Sequence, residues 1–183
     1  MDTEALDKKI ARLRENATTW ARMPLEEKIA MGRRLMEGNY KVAQRQVERA
    51  IEAKKIPASS PLVGEEWLGG PLITLRTLRF TLDSLEEIAR GRAPKLKPGS
   101  VRERANGQVA VKVFPYEKWD PLLFKDFEAE VWMDPELSRS DLEDSMGVFY
   151  KEENPEGIVS LVLGAGNVAS IGSLDVVFGE IDR

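Results

Sequence analysis

The 183-residue chain contains no cysteine and no histidine. Without thiols there is no disulfide framework, and a cytoplasmic setting is expected. The two absences together remove cysteine nucleophiles, Ser–His and Cys–His pairs, imidazole acid–base work and any thiolate or imidazole zinc site. Chemistry is left to carboxylates, lysine, tyrosine and the backbone. A run of about 18 apolar residues is also missing, so no membrane span is expected. The acidic start, Met1-Asp2-Thr3-Glu4, lacks the apolar region of a signal peptide.

What is present is enough chain to bury a core without staples. Charge is unevenly divided. Residues 1–112 hold 22 Lys and Arg against 15 Asp and Glu, and residues 113–183 hold 5 against 16. The basic residues of the first part alternate with acids, as on solvated helix faces, so no nucleic-acid partner is expected. The acidic run from Asp126 to Asp144 lacks the ligand spacing and central glycine of an EF-hand, so no metal site is expected there. Trp20, Trp67, Trp119 and Trp132 show no repeat and read as packing anchors.

Thr3 is placed to cap a first helix carrying Leu6, Ile10 and Leu13, with a break at Asn16–Thr19. Pro24 suits the first turn of a second helix, with Leu25, Ile29, Gly32, Leu35 and Met36 on one face. Gly38-Asn39 is a weak interruption before a third helical stretch that ends at Lys54-Lys55. Gly69-Gly70-Pro71 punctuates again. The clearest long helix follows, from Leu72 to Arg92, with Leu75, Leu78, Leu82, Leu85 and Ile88 on its apolar face. The pattern then changes. Asn106-Gly107 is a tight-turn dipeptide, and Val109, Val111 and Val113 alternate as in a half-buried strand. Residues 127–133 are a second strand candidate, and 134–144 read as a loop or short helix.

Gly157-Ile-Val-Ser-Leu-Val-Leu163 reads as a buried strand. It runs into the turn Gly164-Ala165-Gly166-Asn167, and Ile171 to Phe178 reads as a helix. Strand, glycine turn and helix open a dinucleotide-binding unit, in which the helix N-terminus offers N–H groups to an anion. Gly164-x-Gly166-x-x-Ala169 fits the G-x-G-x-x-G/A pattern, with Glu180 or Asp182 as a ribose-binding acid. Asn167 has a plainer reading as a turn or helix-cap residue.

The order of these pieces resembles the aldehyde dehydrogenase and acyl-CoA reductase superfamily. Pro24–Leu35 resembles the helix near the start of that family, Gln44–Lys54 its second helix, and Leu75–Phe80 the long helix that leads into a β-hairpin. Asn154–Asn167 resembles a family strand and turn, with Ala165-Gly166 where the family has Pro-Trp. The resemblance implies an NAD- or NADP-dependent oxidoreductase acting on an aldehyde or acyl thioester. It puts Asn167 at the oxyanion-donating asparagine, and Gly164, Ala165 and Gly166 on the turn bordering the cofactor. It covers only the N-terminal portion of a family member. The nucleophilic cysteine and general-base glutamate are missing, so the chain alone is expected to be inactive and can be without bound cofactor.

The expected fold is α+β, part of an aldehyde dehydrogenase-like α/β fold. Residues 1–100 form a helical layer, 101–156 a small antiparallel β-element, and 157–183 a truncated strand and turn of a nucleotide-binding sheet. Homo-oligomerisation, or association with a full-length relative, is expected. Two readings stand beside the oxidoreductase: a non-catalytic oligomerisation or interaction module, whose exposed strand side chains Val159, Leu161 and Leu163 need cover, and a minimal Rossmann-like nucleotide binder.

Overall fold

The computed structural model describes residues 2–164, 168 and 170–181. The architecture is α+β, with helices and a three-stranded antiparallel sheet. Two compact units divide the chain: Met1–Gly91 with Phe149–Arg183, and Arg92–Val148.

The first unit is helical. Helix α1 spans Thr3–Ala21. Its cap is Asp2 rather than Thr3: the Asp2 carboxylate accepts from the Ala5 N–H at 3.2 Å, leaving Thr3 as the first helical residue. The expected break at Asn16–Thr19 does not occur. That stretch holds neither proline nor glycine, and the Asn16 side chain donates back to the Arg12 carbonyl at 2.7 Å, so it follows the helix. The chain turns only before Pro24.

Helix α2, Leu25–Lys54, is 30 residues long and runs straight through Gly38-Asn39. One glycine costs about 1 kcal/mol against alanine, which the buried face of so long a helix outweighs. The helix closes at Lys55, which takes the left-handed conformation, with the Ile56 N–H returning to the Ile51 carbonyl at 2.8 Å.

A short helix α3, Val63–Trp67, continues through a π turn at Leu68–Leu72 into α4, Ile73–Ala89. Gly69-Gly70-Pro71 therefore widens a helix instead of ending one. The Thr74 hydroxyl donates to the Gly70 carbonyl at 2.9 Å, adding a bond inside this turn. Gly91, at φ +71, closes α4. The period read for α4 holds, since Leu78, Leu82 and Leu85 are buried. Ile29 of α2 packs with Leu82 and Leu85, joined by Leu25, Met36, Tyr150 and Val177. Each fully buried aliphatic side chain contributes about 1.5–3 kcal/mol. The two helices approach closely at Gly32, where an added Cβ would lie 2.7 Å from a Leu82 methyl.

The last helix, α6, spans Ile171–Ile181 and confirms the apolar helix read there. The expected strand before it does not form. Residues 157–164 take up neither helix nor strand, and among the described residues their backbone makes no hydrogen bond. A strand needs a partner to exist as one, and the sheet ends at three strands elsewhere in the chain.

The second unit holds that sheet. Strands β1 (Val101–Glu103), β2 (Val109–Phe114) and β3 (Ala129–Trp132) pair antiparallel in that order. Gly107, at φ +83, sits in the turn joining β1 and β2. Val109 and Val111 point to one face and pack on Leu142, with Leu96, Val101, Met133, Leu137 and Met146 around them. Val113 leaves the pattern, because the register shifts between Lys112 and Phe114 and exposes it. On the opposite face, Arg102 of β1 reaches Glu130 of β3 with two hydrogen bonds of 2.7 and 2.6 Å. A short helix, α5 (Asp120–Leu123), connects β2 to β3.

Candidate functional site

A concavity lies within the helical unit. Helical spacing builds it: Leu13, Ala17 and Trp20 come from one stripe of α1, and Lys28, Met31, Gly32 and Leu35 from one stripe of α2. Ile158, Val159 and Ser160 supply a third side, and Val176 and Val177 of α6 the fourth. The cavity measures about 410 Å³. Its polar side chains are few, Asn16, Trp20, Lys28 and Ser160, and the backbone of residues 158–160 adds groups that find no partner among the described residues.

Lys28 is the unusual member. It is 2 % exposed, on a helix that is otherwise polar outward. Its Nζ lies 5.6 Å from the ring centre of Trp20 and 5.3 Å from that of Tyr150, so two π faces flank the charge. Such contacts offset part of the cost of desolvating an ammonium. On its other side Lys28 lines a second cavity of about 450 Å³, with Phe149, Tyr150, Glu152 and Glu156. Lys28 thus stands between two cavities of the same unit.

Two anchors hold the C-terminal part of this wall. A Cβ at Gly157 would overlap the Ala17 carbonyl, so this segment lies backbone against backbone on α1, which glycine alone permits. Ser170, with no exposed surface, donates its hydroxyl to the Gly69 carbonyl in the π turn.

Of the residues singled out in the sequence, Gly164 is exposed and belongs to no strand. Ala165, Gly166, Asn167, Ala169 and Asp182 lie outside the described residues. The acidic stretch is in part engaged by neighbours: Glu128 pairs with Lys112, Glu130 with Arg102, and Asp141 accepts from Ser138. Among the described residues no cluster of Asp and Glu is placed to hold a metal ion. No described helix is long and apolar enough to cross a membrane. Trp67, Trp119 and Trp132 are exposed, leaving Trp20 as the tryptophan that lines the cavity. Lys28 escaped sequence reading because a lysine beside two glutamates looks solvated. Its spacing to Gly32 and Leu35, at i+4 and i+7, was the available signal.

No family model matches the chain, and no solved structure matches it. Among curated proteins, small ribosomal subunit protein uS2 of Rhodopirellula baltica is 42% identical over 50 residues, which is 27% of this chain. The matched part is 19% of that protein's own length, so the chain spans only a small part of the relative. These findings overturn the resemblance to aldehyde dehydrogenases. The partial likeness that emerges is to a ribosomal protein.

Proposed function

We propose that this chain is a non-catalytic association module whose 157–164 segment pairs with the same segment of a second copy. One observation carries the reading. Leu161 and Leu163 are 84 % and 82 % exposed, on a stretch whose backbone hydrogen-bonding groups find no partner among the described residues. Side chains at alternate positions and free backbone groups are what strand addition uses. The contrast with the sheet edges supports it. Strands β1 and β3 are three and four residues long and carry Arg102, Glu103 and Glu130, which discourage pairing. Residues 157–164 carry no charge at all.

The test is sedimentation velocity at micromolar concentration. A dimer is expected for the unaltered chain, and a monomer for Leu161→Asp combined with Leu163→Asp, since charges on a pairing edge block addition. A clean monomer for the unaltered chain overturns the reading.

A further inference from the structure

The loop that joins β2 to β3, residues 115–128, belongs to the unit of the sheet and shares no residue with the cavity at Lys28 or with residues 157–164. We propose that the tip of this loop docks on the surface of an anionic lipid bilayer. Trp119, Leu122, Leu123 and Phe127 enter the interface, and Lys97, Lys118 and Lys125 meet the head groups. The contact is with the surface and spans nothing.

The loop is held in a shape that shows apolar side chains to solvent. Asp120 turns inward onto the N–H groups of Tyr116 and Glu117, which fixes the backbone entering α5. Phe114 of β2 stands edge-on to Phe124 at 5.6 Å and to Phe127 at 6.3 Å, which seats the far end of the loop on the sheet. On this frame Leu122 and Leu123 are 74 % and 59 % exposed, with Trp119 before them and Phe127 after them also more than half exposed. Four such side chains so close in sequence exceed the scattered single ones of an ordinary surface. Each stands out into solvent rather than walling a pocket. A protein partner would have to bring a matching cleft, whereas a bilayer interface takes up tryptophan, leucine and phenylalanine without a fixed shape.

The charges around the tip select the sign of the lipid. Residues 113–183 hold 5 Lys and Arg against 16 Asp and Glu, yet two of the five, Lys118 and Lys125, flank the leucines. Lys97 joins them from the segment before β1, its ammonium donating to the Tyr116 carbonyl at 3.0 Å. All three lysines are exposed. The acids of the loop are placed differently. Asp120 has no exposed surface, Glu117 is half-buried and Glu128 pairs with Lys112, leaving Asp126 as the opposing charge in the open. Lysine stems lie along apolar surface while their heads reach the anionic layer, so the outward lysines add to insertion of the apolar tip.

Co-sedimentation of the full chain with vesicles tests this, using equal parts of phosphatidylcholine and phosphatidylglycerol against phosphatidylcholine alone. The mixed vesicles are expected to bind the chain more tightly. Leu122→Asp combined with Leu123→Asp should weaken that binding about tenfold or more, with unchanged far-ultraviolet circular dichroism because both positions face solvent. Lys118→Gln and Lys125→Gln should each weaken it about fivefold. Tryptophan emission should shift to the blue on adding mixed vesicles, and Trp119→Phe should remove that shift while keeping the binding. Failure to bind mixed vesicles overturns the proposal, as does equal binding to phosphatidylcholine alone. A lower oligomeric state of the Leu122→Asp, Leu123→Asp chain without lipid also overturns it, in favour of a contact between copies. The Leu161→Asp, Leu163→Asp chain should still bind vesicles even as a monomer. Loss of binding there, with retention by the Leu122→Asp, Leu123→Asp chain, assigns the lipid contact to residues 157–164 and overturns the proposal.

Discussion

Asp120 has no exposed surface, and one of its carboxylate oxygens accepts from the backbone N–H groups of Tyr116 and Glu117 at 2.7 and 2.8 Å. Two backbone donors thus meet at one carboxylate oxygen of a side chain without exposed surface. Asp120→Ala should therefore destabilise the unit holding the sheet by about 2–3 kcal/mol, read as a lower urea midpoint, while Asp120→Asn keeps an acceptor and loses less. Two glycines on α2 provide an internal control of sign. An added Cβ at Gly38 meets nothing within 4 Å, so Gly38→Ala should raise stability by about 0.5–1 kcal/mol through helix propensity. At Gly32 the same carbon meets Leu82 at 2.7 Å, and Gly32→Val should cost about 1–3 kcal/mol by overpacking. Denaturant titration of the two variants side by side checks both. Neither sign follows from the letter glycine. It follows from which face of α2 each one occupies.

At the scale of elements, α2 and α4 are tied at the surface as well as through their core. Arg33 donates to Glu86 at 2.6 Å, and Arg90 reaches the other oxygen of the same carboxylate at 3.2 Å. The hydrogen bond from Arg33 is the main cause that holds the Glu86 carboxyl below its ordinary value of 4.5, with Arg90 adding to it against a smaller opposing effect of desolvation. Because the folded-state value is the lower one, the pairing stabilises the fold above the unfolded-state value and is lost as the pH falls through the folded one. Glu86→Gln should thus melt at a lower temperature than the parent near neutrality, and the gap should close on acidification below 4.5. A gap that persists in acid would mean that packing, not charge, is what the substitution removed. Glu130 in the sheet is lowered in the same direction, first by its hydrogen bond from Arg102, so the two units share an acid-sensitive pattern.

For the whole molecule, the association proposed for residues 157–164 rests on apolar side chains and backbone groups. Salt screens charge pairs and leaves such contacts almost untouched. The dimer expected in sedimentation should therefore persist when salt is raised to about 0.5 M, a range in which an interface built on ion pairs would weaken. Dissociation by salt would assign the contact to charged surfaces instead, for example to the uneven distribution between the basic first part and the acidic remainder of the chain.

The residues alone determined the local features. The apolar period of α4, the Asn106-Gly107 turn, the alternation of Val109 and Val111 and the helix at Ile171–Ile181 depend on neighbours within a few positions. The same local reading could not show that α1 passes Asn16–Thr19, that α2 passes Gly38-Asn39, or that Gly69-Gly70-Pro71 widens a helix. Each of these breakers costs about a kcal/mol or a few, and packing of a buried face outweighs that. Tertiary structure alone decided two other features of the helical unit. Lys28 is buried, with its ammonium near the rings of Trp20, close by in the sequence, and of Tyr150, far along the chain. Residues 157–164 do not form a strand because a strand is a property of two paired segments, and within the described chain the second one is missing.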